Sequence, residues 1–128
     1  MTRRGLQFVL RILGAVAVVF GSLTVFLGSD SVLGGGPVSP TIDSELRFYA
    51  AWYAAAGVVL LRAAPRVEAA GGTIRGFGAV LFICGVARLL SLITVGTPHP
   101  ISVALMVLEF VIPAVIVPWQ AAVARRTT

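Results

Sequence analysis

Apolar residues gather along this chain into four long runs, at about residues 6–28, 44–61, 74–95 and 101–123. A run of about 20 apolar residues, wound at ~1.5 Å per residue, matches ~30 Å of hydrocarbon, so each run predicts a membrane-spanning helix. The segments between them have a different chemistry. Residues 29–43 are rich in Gly, Pro and Ser and include GGGP, residues 62–73 form a polar loop, and GTPHP makes a short turn from Gly96 to Pro100. The expected fold is all-α: a four-helix transmembrane bundle in a single integral membrane domain covering residues 1–128.

Composition narrows the solvent. Of 128 residues, 58% are hydrophobic and 12% charged, against roughly 25% charged in a soluble domain, and the mean hydropathy is +0.98. A globule of this size in water needs more polar surface than that. The net charge of +5 does not point to nucleic acid, because all ten basic residues are arginines scattered between apolar runs, with no basic face to follow a phosphate backbone. Their placement gives direction instead. Arg3, Arg4, Arg11, Arg62, Arg66, Arg75, Arg125 and Arg126 fall at the termini and around the second connection, while the first and third connections hold none. By the positive-inside rule both termini are cytoplasmic.

Abundant Ala, Val, Gly and Arg without Lys is the usage of a GC-rich genome, which suggests a bacterial plasma (inner) membrane. The opening TRRGLQF has features of a twin-arginine or Sec signal, but the apolar run is long for one and no A-x-A site follows, so a retained first helix is expected. Cys84 is the sole cysteine and His99, between two prolines, reads as a loop residue. One Cys and one His build neither an intramolecular disulfide nor a zinc site, so no metal or cofactor is expected.

Glycine recurs every seventh residue on the first helix, at Gly14, Gly21 and Gly28, and again at Gly71, Gly78 and Gly85 on the third. Such stripes let backbones approach closely where lipid removes the hydrophobic drive between helices. Ala50, Gly57 and Ala64 continue the pattern on the second helix. Setting the two halves against each other aligns Arg11 with Arg75, Gly14 with Gly78, Gly21 with Gly85 and Glu45 with Glu109. Two pseudo-repeated helical hairpins in parallel arrangement are one reading of that match, and chance in a biased composition is the other.

Once the arginines just named and the acids of the connections are set aside, four charged residues remain: Glu45, Arg47, Arg88 and Glu109. Counted at ~1.5 Å per residue, Arg88 stands roughly 20 Å from Arg75, Glu109 roughly 24 Å from Arg125 and Glu45 roughly 25 Å from Arg62, one level in the outer leaflet half. An unpaired charge in hydrocarbon costs about 2.5–3.5 kcal/mol on insertion scales. Arg88 is therefore expected to bridge Glu109 and Glu45, with Arg47 nearer the headgroups and Ser91, Tyr49 and Tyr53 adding hydroxyls. The cluster reads either as a polar clip fixing helix register or as the polar end of a ligand site. Phe48, Tyr49, Trp52 and Tyr53 read as an interfacial belt or a stacking wall, and Pro113 and Pro118 are expected to kink the fourth helix.

The stretch DSELRFYAAWYAAAG from Asp43, the run ARLLSLITVGTPHP from Ala87 and the LE ahead of Pro113 resemble a bacterial family of small four-helix membrane proteins, the domain-of-unknown-function family DUF4345. The resemblance covers about residues 14–120. It implies the four-span architecture and weight on Glu45, Arg47, Tyr49, Arg88 and Glu109, and it brings no activity. The sequence has no Gly-rich phosphate loop, metal-ligand cluster or nucleophile-base pair, and its first helix has no acid of the kind small four-helix antiporters use. A non-enzyme is expected. One function is an accessory or interaction subunit of a larger membrane complex, with membrane lipid and other membrane proteins or a second copy as partners. The alternative is a binding protein for a lipid or other apolar small molecule, with the Glu/Arg/aromatic cluster as its polar end.

Overall fold

Each long helix begins and ends where local chemistry demands it. In the computed structural model, which describes residues 2–127, α1 runs Arg3–Leu27, α2 Pro40–Ala63, α3 Gly71–Thr94 and α4 Pro100–Arg125. Nothing interrupts α1 until Gly28, whose φ of 60° turns the chain into the left-handed region and on into a 3-10 turn, Gly28–Ser31. Pro40 starts α2 at the position where a missing N–H is harmless, and Ser39 Oγ accepts the Ile42 N–H there. Pro65 diverts the chain after α2 through a second 3-10 turn, Ala64–Arg66. α4 likewise opens on a proline, with His99 as its cap: the imidazole Nδ1 accepts the Ile101 N–H at 3.2 Å. Pro113 and Pro118 lie inside α4, which nonetheless continues helical to Arg125.

The fold is all-α, four helices with no strand among the described residues. Three helices are long and apolar enough to cross a membrane, the mean hydropathy over an 18-residue stretch being 2.2 in α1 with its following turn, 2.1 in α3 and 2.4 in α4. The second expected span, residues 44–61, lies inside α2, which has the length at 24 residues but not the hydropathy. Glu45 and Arg47 in its first turns, followed by Tyr49, Trp52 and Tyr53, make it the least apolar of the four.

Contacts divide the chain into two units. One, Phe8–Arg62, is the α1–α2 hairpin. Its glycines meet backbone: a Cβ on Gly14 would stand 2.9 Å from the Gly57 carbonyl oxygen, one on Gly57 2.7 Å from that of Gly14, and one on Gly21 2.8 Å from that of Ala50. Side chains at these positions would push the helices apart, so the stripe expected from sequence is a line of close approach. The other unit, the residues up to Gln7 with those from Ala63 on, holds the α3–α4 hairpin. Here the glycines meet side chains, Gly78 facing Val117 and Pro113, and Gly85 the Phe110 ring. Burial in this unit concentrates at one end, where Leu6, Ala64, Val67, Ile74, Ile116 and Val123 are nearly or fully covered.

Candidate functional site

Between α3 and α4 two opposite charges meet inside otherwise apolar sequence. Arg88 Nε donates to Glu109 Oε1 at 2.9 Å. Gly85, one turn before Arg88, lets this happen: the Phe110 ring comes within about 3 Å of where its Cβ would be, so the helices are close at the level of the pair. Phe110 in turn meets Phe82 edge to face, centroids 5.2 Å apart. The two partners differ in surroundings. Glu109 is 13% exposed and its Oε2 is buried with no hydrogen-bond partner among the described residues, whereas the Arg88 side chain is 44% exposed. Its one hydrogen bond among the described residues is made through Nε, which leaves the two terminal nitrogens without a partner there.

The pairing of Arg88 with Glu109 is the one read from the sequence. Glu45, expected as the second carboxylate on Arg88, belongs to the other unit, is exposed and makes no ion pair within that unit. Ser91 is exposed, and its carbonyl oxygen accepts the Val95 and Gly96 N–H groups that end α3. Tyr49 and Tyr53 are exposed on α2, and Tyr49 meets Phe48 edge to face at 5.4 Å.

Arg47 has a task that the sequence reading did not include. It bonds Asp43, one turn earlier on α2, through Nε to Oδ2 at 2.7 Å, and its NH1 donates to the Val25 and Phe26 carbonyl oxygens at 2.9 and 3.1 Å. Those carbonyls are among the ones a helix C-terminus leaves without an intrahelical partner. Asp43 Oδ1 accepts the Ser29 N–H just past the same terminus. Gly28, expected to close the glycine stripe on α1, lies instead past the helix end, packed against Asp43 and Arg47 with no room for a Cβ. Arg47 and Asp43 are thus a two-residue cap on α1. The Arg47 guanidinium holds the Asp43 carboxyl below the usual carboxylate range, and the Ser29 N–H adds to the effect. Asp43 was not among the sequence candidates; its signal was the acid and arginine four residues apart.

A third polar group ties down the connection after α2. Gln120, 3% exposed on α4, donates to the Val67 and Glu68 carbonyl oxygens, and Gln7 donates to that of Pro65. The Trp119 indole N–H donates to the Thr2 carbonyl oxygen, and Arg3 bonds Glu68. The Glu68 carboxyl lies below its ordinary range, chiefly through its own backbone N–H and then through Arg3. Sequence reading passed over both glutamines; each is an uncharged polar residue near the end of an apolar run, a position that demands a partner once buried.

Residues 5–120 match the family described as Domain of unknown function (DUF4345). The chain belongs to this family. The matched DUF4345 region takes in the Arg88–Glu109 pair, the Asp43–Arg47 cap and the Gln120 latch alike. No curated protein and no solved structure matches the chain. Among the described residues of this DUF4345 member no group of three or more His, Cys, Asp or Glu could hold a metal ion. A cavity of about 440 Å³ opens beside the α1–α2 connection, lined by Ser29, Asp30, Val32, Gly36 and Pro37.

Proposed function

We propose that the protein is a non-enzymatic accessory subunit of a bacterial plasma-membrane complex, with both termini cytoplasmic, and that the face carrying Arg88 is where it meets its partner. The observation that carries this reading is the Arg88–Glu109 bond itself. A long arginine near a helix end ordinarily snorkels to the headgroups. Here Glu109 holds the guanidinium down, roughly 14 Å along α4 from Pro100 at ~1.5 Å per residue, and its two terminal donor nitrogens have no partner among the described residues. At that depth, acceptors for those donors come from another protein helix, as a carboxylate or an unwound carbonyl, rather than from lipid phosphates.

The binding-protein reading has one observation in its favour. The unpartnered Glu109 Oε2 suits the hydroxyl or N–H of an apolar ligand. Purification from native membranes, followed by native mass spectrometry, separates the two. The accessory-subunit reading predicts a stoichiometric protein partner that is absent from preparations of an Arg88→Met/Glu109→Gln variant of unchanged helicity. A small molecule retained by the parent and lost from that variant, with no protein partner in either, favours the alternative.

A further inference from the structure

The unit of α3 and α4 carries charge of one sign at one end. Arg3 and Arg4 at the start of α1, Arg66 after α2, Arg75 in α3, and Arg125 and Arg126 at the close of α4 all belong to this unit and all are exposed. One acid lies among them, Glu68, and it is bonded to Arg3. The other acid of this unit among the described residues, Glu109, is roughly 24 Å back along α4 from Arg125 at ~1.5 Å per residue.

The arginine end is also braced. Gln120, Gln7, Trp119 and Glu68 fix residues 65–68 and the start of α1 by the bonds described above, so basic side chains project from a held frame. Arg75 folds back over the first turn of α3, its NH1 3.2 Å from where a Gly71 Cβ would be. Ala70 supplies no side-chain cap there, so the positive end of the helix dipole adds to the arginine field. Beyond this end the outer surface of α3 turns apolar, with Val80 61% and Ile83 63% exposed.

The geometry points to an anionic phospholipid as the ligand of this end, its phosphate on Arg4, Arg66 and Arg75 and its acyl chains along the apolar surface of α3. Guanidinium forks bond phosphate oxygens two at a time. A phosphate carrying acyl chains satisfies both the charged end and the apolar flank at once, which a diffusible anion does not. Clusters of arginine at the cytoplasmic ends of spanning helices attract anionic lipid in this way.

Native mass spectrometry of the full chain in detergent tests this with dioleoylphosphatidylglycerol and dioleoylphosphatidylcholine as probes. The parent should retain the glycerol lipid over the choline lipid, and the Arg4→Gln/Arg66→Gln/Arg75→Gln variant should lose about tenfold of that preference. Arg88→Gln, changed at a distant level, should keep it, which separates this site from the partner face. Equal retention of the two lipids by the parent, or an undiminished preference in the triple variant, overturns the assignment. Should the triple variant fail to fold, the parent alone decides: its preference should fall as NaCl is raised, and a salt-independent preference overturns the proposal. Glycerol phosphate at the same concentration should not displace the lipid; displacement would mean a free-phosphate site and would equally overturn it.

Discussion

Glu109 is held on one side only. Its Oε1 accepts from Arg88, and its Oε2 is buried without a partner. Removing the arginine leaves a largely buried carboxylate with none, and stranding a buried charged group costs more than the pair contributes when intact. Arg88→Ala should lower stability in detergent by about 1–3 kcal/mol, while Arg88→Met/Glu109→Gln should recover most of the loss. A double variant no more stable than Arg88→Ala would show that the charge itself, and not its lost partner, holds the helices. Asp43 carries a pH signature. Its carboxyl is held below the ordinary range, so its contribution is complete above an unfolded pKa of about 3.9 and is lost as pH falls through the lower folded value. Thermal midpoints measured down a pH series should drop in acid for the parent and drop less steeply for Asp43→Asn, whose midpoint is already lower at neutral pH. Parallel curves would show that the cap on α1 contributes nothing to stability.

The helices themselves were legible in the apolar runs, but not all of their limits: α2 begins at Pro40, four residues before the expected start, and Gly28, read as part of the stripe on α1, lies past the end of that helix. The pairing of Arg88 with Glu109 was legible as well, because depth along a helix is only a count of residues and each lone charge needs a partner. The roles of Arg47, Asp43 and Gln120 were not. Each bonds backbone carbonyls or N–H groups contributed by a different element, and a sequence does not show which carbonyls a helix end leaves open. The glycines divide along the same line. Periodicity marked Gly21 and Gly85 as equivalents, yet a Cβ at Gly21 meets the backbone of Ala50 and Ala54, whereas one at Gly85 meets the edge of the Phe110 ring. Backbone cannot give way and a ring can. Gly21→Ala should therefore cost about 1–3 kcal/mol, and Gly85→Ala less than about 1 kcal/mol, both read from thermal melts in one detergent. Equal losses would mean that the two hairpins are equally tight.

At the largest scale, three features bear on function: apolar helices, exposed arginines at one end of the α3–α4 unit, and within that unit an ion pair far from that end whose arginine is 44% exposed. The central claim is that this arginine meets another membrane protein. Replacing Ser91, exposed one turn beyond Arg88, with a photo-crosslinking residue places the probe beside the pair in native membranes. Illumination should then give a discrete adduct of protein mass, and adding Arg88→Met/Glu109→Gln to the same chain should abolish it. Adducts with lipid alone, or a protein adduct that survives loss of the pair, would contradict the account.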